Sequence, residues 1–363
     1  MNRLPAWADV VLIPLISLVL ALIVSGLVIL YIGENPLHAL GVMIEGAMGS
    51  TRGWGYTLFF ATNFIFTGLA VAVAYHAALF NIGGEGQATL GGLGVALVCL
   101  AIDWPVWWLV LPFAVIGGAV FGAAWAAIPA WLQAKRGSHI VITTIMFNFI
   151  ASALMVYLLV NVLKAPGMAP ETRAFPPGTN LPNAFQVLGL FGIPFNKFAP
   201  LNVAFLLGLL AAFGVWMLIW RTRLGYEIRA YGKSEPAAVY AGISPVRIIM
   251  VTMLISGGLS GLMAVNAVMG EAERLVIDSV QGAGFVGIAV ALMGRNHPVG
   301  VVLAAVLFGA LYQGGIELEF EVPAISREMI LVIQALVILF TGALDDMVRA
   351  PLIRVFAQFR RPA

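Results

Sequence analysis

Residues 221–247 read RTRLGYEIRAYGKSEPAAVYAGISPVR, a polar and basic island between two long apolar runs. The run before it, about 201–220, ends at Trp220, and the next begins near Ile248. A short loop this rich in Arg and Lys between two runs of membrane length is retained on the cytoplasmic side of a bilayer. Its flanking segments are therefore read as helices that enter and leave the membrane there. Inside the island, SEPAAVYAGIS predicts a small helix, with Ser234 as N-cap, Pro236 in the first turn and Gly242 as the C-terminal stop. A capped helix at that face meets water rather than lipid. Glu235, Pro236, Ala237, Ala238, Tyr240, Gly242 and Ile243 are accordingly read as a docking surface for a soluble partner that drives a membrane subunit.

The rest of the chain supports a membrane reading. It is 61% hydrophobic and 10% charged, with a mean hydropathy of +0.99. A soluble domain carries about 25% charged residues, so a water-facing surface could not be covered here. Apolar runs of this length cross ~30 Å of hydrocarbon as helices. The period-2 alternation of a membrane barrel is absent. The expected class is an all-α integral membrane protein with about ten transmembrane helices, near 10–32, 57–79, 86–102, 106–131, 140–163, 201–220, 248–270, 283–294, 298–315 and 328–345. The first run is too long for a signal-peptide core and lacks a small-x-small cleavage site, so it is read as a retained span. The runs at 86–102 and 283–294 are short and Gly-rich, which predicts broken or re-entrant helices.

With the N-terminus inside, Arg3, Lys135, Arg136, Arg221, Arg223, Arg229, Lys233, Arg247, Arg295, Arg349, Arg354, Arg360 and Arg361 fall on the cytoplasmic side. Only Arg52, Lys164, Arg173, Lys197, Arg274 and Arg327 fall outside. This bias places both termini in the cytoplasm. The longest external loop, 164–200, is rich in Pro, Gly and Asn and reads as an irregular cap. Five crossings on either side of it divide a single transmembrane domain, residues 1–363, into halves, about 10–163 and 201–345. The odd number per half makes their topologies opposite. Each half carries a Gly-rich break, FNIGGEGQATLGGLG at 80–94 and DSVQGAGFVGIAVALMG at 278–294. Matching breaks in two halves point to an inverted repeat with a central site.

Polar residues within the apolar runs mark candidates for a solute path: Asn63, Asn81, Glu85, Gln87, Thr144, Asn148, Asn266 and Gln281, with Phe285 able to stack on a planar base. Amides and hydroxyls suit a neutral, hydrogen-bonding solute better than an ion. Two readings of Glu85 remain open at this point. It lines the path, or it caps a half-helix inside a tight helix contact. Each amide has a second reading as interhelical glue, worth ~0.6 kcal/mol. The single Cys99 reads as a packing residue, and His38, His76, His139 and His297 are scattered without ligand spacing. Trp104, Trp107 and Trp108 fit an interfacial belt, and Glu317, Glu319 and Glu321 a solvated external loop. No phosphate-binding loop, nucleophile elbow or HExxH helix is present, so no catalytic or metal site is expected, and any ATP chemistry belongs to another chain. The basic residues are dispersed, which excludes a nucleic-acid groove.

GYEIRAYGKSEPAAVYAGIS resembles the cytoplasmic loop of bacterial ABC-importer permeases of the ribose/branched-chain amino acid class, through Gly225, Arg229, Ala230, Gly232, Ala237, Ala238, Gly242 and Ile243. The break FNIGGEGQ, Phe80 to Gln87, is similar to that of the nucleoside or simple-sugar subgroup, whose sugar-type members tend to carry an LS-x-G version instead. The likeness spans about residues 50–345. It implies a non-enzymatic subunit of an importer in the bacterial cytoplasmic (inner) membrane, with ATP and magnesium bound by a partner ABC ATPase docked on 235–243. It implies a second permease, a paralogue or a second copy, and an extracytoplasmic substrate-binding lipoprotein. Nucleosides are the expected cargo and a ribose-like sugar the alternative. A self-sufficient ion-coupled transporter using Glu85 competes with this reading but gives the capped helix no role.

Overall fold

Long runs of Leu, Val, Ile and Ala offer no polar side chain to compete with backbone hydrogen bonding, and in an apolar solvent only a helix satisfies every N–H and C=O within one segment. The computed structural model describes residues 12–340 and 351–353, and the described chain is helical apart from turns and two isolated β-bridges. Its helices are α1 (Ile13–Ile32), α2 (Pro36–Met48), α3 (Thr51–His76), α4 (Gly84–Ala101), α5 (Trp107–Arg136), α6 (Ile140–Asn161), α7 (Ala184–Gly189), α8 (Ala204–Arg221), α9 (Arg223–Lys233), α10 (Glu235–Tyr240), α11 (Pro245–Ala264), α12 (Ala283–Met293), α13 (Pro298–Glu321) and α14 (Arg327–Ile338). Among the described residues, eight are long and apolar enough to cross a membrane, and α12 is a shorter apolar helix. The chain is an all-α, multi-pass membrane protein.

Several boundaries differ from expectation. The run at 86–102, expected to be marginal, is a full span, because α4 begins two residues earlier at Gly84. At 283–294 the expectation holds, since α12 has 11 residues. At ~1.5 Å per residue it covers about half of the hydrocarbon thickness. Between the first two expected crossings lies α2, which hydropathy did not indicate. Asn35 caps it by accepting from the Leu37 and His38 amides, and Pro36 starts it. Glu317, Glu319 and Glu321 form the last turns of α13 rather than a loop, and Glu317 accepts from Gln313 Nε2 at 3.0 Å. The ends of the expected spans at 10–32 and 328–345, and the basic residues Arg3, Arg349, Arg354, Arg360 and Arg361, lie outside the described residues.

The described residues gather into two compact units, Trp54–Gly309 and the chain before and after it. In the flanking unit α1 packs on α2 and α14, and Gly314 admits the Met43 backbone. In the central unit α3 is buried along nearly its whole length, and α4, α5 and α11 pack on one another through glycines. Gly91 lies on Gly261, Gly94 on Gly117 and Gly122 on Gly257, each without room for a Cβ. Close backbone approach replaces the missing hydrophobic drive between helices in lipid.

The 164–200 loop is more ordered than an irregular cap. Asn183 and Gln186 form a reciprocal capping box on α7. Glu171 pairs with Val276, the Thr172 amide donates to Leu275 O at 3.1 Å, and the Phe175 amide donates to Glu273 O at 2.8 Å. An Arg274–Glu171 ion pair at 2.8 Å closes the same seam. The loop is thereby stitched to the stretch that follows α11.

Candidate functional site

The first Gly-rich break is a real interruption. After α3 ends at His76, Ala78 takes φ +55°, and α4 starts only at Gly84 with Gly83 before it. The backbone groups freed by unwinding need partners, and buried amides supply them. Asn81 Oδ1 accepts from the Gly83 amide at 2.9 Å, and Asn81 and Gln87 exchange hydrogen bonds at 2.9 and 3.1 Å. Asn81 Nδ2 also donates to Ser256 Oγ, whose hydroxyl donates to Ala70 O at 2.7 Å, which ties the break to α11 and α3. From α6, Asn148 accepts from the Gly86 amide and donates to Ile82 O, both at 2.9 Å.

The second break follows α11, which continues directly into a π-helical stretch, Val265–Ala272. The chain then runs without helix to Gly282, with left-handed φ values at Glu273, Asp278, Gln281 and Gly282. Left-handed backbone costs a non-Gly residue roughly 1–2 kcal/mol, so three of these positions are held against their preference. Ser279 Oγ lies beside Gly92, part-way along α4.

The two breaks meet at Glu85. Its carboxylate oxygens accept from the amides of Gly282 and Gly284, both at 2.9 Å. Gly284 has no room for a Cβ, because the backbone of Gly84 and Glu85 occupies that space. A carboxylate at a helix N-terminus satisfies two orphan N–H groups and faces the positive end of the macrodipole. Both carboxylate oxygens of Glu85 thus cap the second half-helix.

The other expected path residues separate in the same way. Asn266, in the π-helical turn, donates to Phe59 O at 3.0 Å and to Asn63 Oδ1 at 2.8 Å, and accepts from Asn202 Nδ2 at 3.0 Å. Thr144 Oγ1 donates to Ile140 O within its own helix. Asn63, Asn81, Gln87, Thr144, Asn148 and Asn266 are all buried. The amides among them bond across helices and breaks, as the interhelical reading has it, whereas Thr144 bonds only its own helix. Gln281 and Phe285 are exposed at the start of α12, with Glu85 partly exposed between the two breaks. Sequence reasoning missed Ser256 and Asn202. A lone Ser or Asn in such a run carries no signal until its partner is known.

The basic island folds as its caps predict. Thr222 caps α9 by accepting from the Gly225 amide, and Ser234 caps α10 by accepting from the Ala237 amide. Gly242, at φ +81°, ends α10, where the Ile243 amide donates to Ala238 O. Glu235, Pro236, Ala237, Tyr240 and Gly242 are exposed, and Ile243 is half-buried. Ala238 is corrected: at 3% exposure it faces its own chain and seats α10 rather than meeting a partner. Tyr240 at 96% and Val239 at 50% project outward, and Val239 is an addition that composition alone did not single out. In α9, Glu227 is buried, 3.1 Å from Arg223 Nε and 3.7 Å from Arg247, which joins α9 to the start of α11. Burial, and then the Glu235 carboxylate beside it, push the Tyr231 phenol up from its ordinary value, so it remains a neutral hydroxyl at the α9–α10 joint.

This assembly touches the first break directly. Gly232 of α9 packs on the backbone of His76 and Ala77, where α3 ends. His76 Nε2 lies 3.1 Å from Asn296 O, and the Trp220 ring sits between His76 and His297 with centroids 5.1 and 5.0 Å away. The ends of α3, α8 and α12 are thus clamped together next to α9.

The chain is 35% identical to the guanosine ABC transporter permease protein NupP of Bacillus subtilis, over 92% of its own length and 93% of that protein's. It is also 35% identical to the glucose ABC transporter permease protein TsgB13 of Haloferax volcanii, over 93% and 88%. Identity to the nucleoside ABC transporter permease protein NupB of Lactococcus lactis is 32%, over 91% and 90%. No solved structure matches. The family model for the permease component of branched-chain amino acid transport systems covers residues 54–342, from α3 through α14, which includes both breaks and the capped α10. The chain belongs to that family and is a transport component rather than an enzyme.

Proposed function

We propose that this chain is a permease subunit of an ATP-driven importer that carries nucleosides across the bacterial cytoplasmic membrane. A permease of this family implies an ATPase and a substrate-binding partner. The observation that carries the reading is α10, a helix seated by Ala238 and closed at both ends, which holds Val239 and Tyr240 out into solvent. An exposed aliphatic–aromatic pair on a rigid mount suits an anchor in a partner's pocket. In this reading both termini are cytoplasmic, and the ATPase with its ATP and magnesium docks on α10. Closure of the ATPase pushes α9 against the end of α3 through Gly232 and His76. The push reaches the break at Asn81, the Glu85–α12 junction, and the face that carries Gln281 and Phe285. A second permease, a paralogue or a copy of this chain, completes the path, and an external lipoprotein delivers the solute.

Nucleoside is the preferred cargo because relatives named for guanosine and nucleosides match along nearly the whole chain. A simple sugar is the second reading, favoured by the glucose permease at equal identity. An ion-coupled mechanism is disfavoured, since both carboxylate oxygens of Glu85 are already on α12 amides. The test is uptake of labelled guanosine, adenosine, uridine, glucose and ribose into vesicles that contain the complete transporter and its binding protein. ATP-dependent nucleoside uptake that survives collapse of the proton gradient is the expected result. Sugar uptake alone would move the cargo to the second reading, and uptake that follows the proton gradient would overturn the importer.

A further inference from the structure

The buried amides of the breaks leave open where a solute first rests on this chain. A separate cavity of about 540 Å³ lies where the 164–200 loop covers the end of α11. Its lining includes Trp107, Asn180, Asn183, Gln186, Glu271 and Glu273. Another cavity of the central unit is walled by side chains such as Leu209, Phe213 and Leu303, as a lipid-facing groove would be. Small-molecule sites have ~300–1,000 Å³ of volume and a few convergent polar groups, so size and lining both fit a compact solute.

The lining specifies the chemistry. Two carboxylates and three amides accept and donate hydrogen bonds, and the Trp107 indole offers a flat apolar face. Among the described residues no Lys or Arg lines the cavity, which argues against phosphate esters. Among the described residues no group of three or more His, Cys, Asp or Glu is placed to hold a metal ion. Asn180 Oδ1 is buried with no hydrogen-bond partner among the described residues. A buried acceptor left open costs roughly 1–3 kcal/mol unless something donates to it.

We propose that this cavity is a solute-holding subsite for a neutral, hydroxyl-rich small molecule, a nucleoside or a monosaccharide. It rests on the importer reading above. Its position adds a consequence. Glu273 begins the unwound stretch 273–282, and the Phe175 amide of the covering loop holds Glu273 O at 2.8 Å. The far end of that stretch is the Gly282 amide on Glu85. A solute in the cavity therefore touches the head of the segment whose other end closes the two breaks.

Saturation-transfer NMR on the complete transporter in nanodiscs, without binding protein or nucleotide, tests the subsite with guanosine and glucose as probes. Transfer to the ribose or pyranose ring protons is expected for at least one probe. It should fall at least five-fold in Glu273→Gln and in Trp107→Leu and persist in Phe285→Ala, with melting temperatures confirming that each variant is folded. Equal transfer in wild type and both cavity variants, or none for either probe, would overturn the proposal. So would variants that bind the loaded lipoprotein less tightly while direct solute transfer is absent or unaltered, because the cavity would then be a protein-docking surface. Guanosine and glucose uptake by the same transporter separates the two failures. Uptake without cavity binding sinks only the subsite, whereas cavity binding without ATP-driven uptake sinks only the importer reading.

Discussion

The junction at Glu85 and the capped helix α10 are both built from helix termini, yet they are finished in opposite ways. At the junction the carboxylate and the amides are answered from within the chain: Glu85 by the Gly282 and Gly284 amides, Asn81 by Gln87 and Ser256, Asn148 by the backbone of Ile82 and Gly86. At α10 the backbone is closed by Ser234 and Gly242, but Val239 and Tyr240 are left without cover. A closed polar network resists opening, because each group it releases in a dry interior is costly to leave unpaired. An uncovered apolar pair on a rigid mount gains by meeting a partner. The difference assigns the junction to holding and α10 to receiving.

The comparison breaks most severely where backbone meets backbone. Gly284→Val would drive a branched side chain into the backbone of Gly84 and Glu85. We expect a loss of ~3 kcal/mol or more, the upper end for overpacking, with little folded protein in detergent by thermal melting. A normal melt would mean that the two breaks do not close on each other. Glu85→Ala removes the acceptor for two α12 amides. Hydrogen bonds to a charged group are worth ~1.5–3 kcal/mol, and Glu85→Gln should recover part of that loss. Denaturant midpoints of the two variants provide the measurement, and equal, unshifted midpoints would remove the capping role.

Tyr240→Ala should behave differently, with stability within ~0.5 kcal/mol of wild type because the side chain touches little of its own chain. Affinity for the ATPase should fall by roughly 2 kcal/mol, about thirty-fold, and uptake with it. Ala238→Arg sharpens the contrast. It should lower the melting temperature as well as uptake, since Ala238 is buried on the inner face of α10. If Tyr240→Ala destabilises the fold while Ala238→Arg does not, the inward and outward faces of α10 have been reversed.

Local chemistry explains what was legible in advance. Ser234, Pro236 and Gly242 lie within one nine-residue stretch, so their spacing alone announced α10 and its ends. The glycines at 83, 84 and 86 and the shortness of the run at 283–294 announced the breaks for the same reason. The 13 residues of α2 went unseen because hydropathy responds to length, and the only local sign was Asn35–Pro36. The face of a residue was the other gap. Ala238 and Val239 are neighbours of similar character, and only the surface beneath α10 decides which one is buried.

The sequence by itself determined an all-α membrane chain, its Gly-broken segments and a capped helix in a basic loop, because hydropathy, glycine freedom and capping act over a few residues. Tertiary structure alone decided the partners of the polar side chains. Glu85 and Gly282 are 197 positions apart, and Asn63 and Asn266 are 203 apart. A carboxylate or amide in an apolar run can face a solute, an ion or another helix with equal chemical justification. The choice is made by whichever donor or acceptor the packing of α3, α4, α11 and α12 brings to about 3 Å.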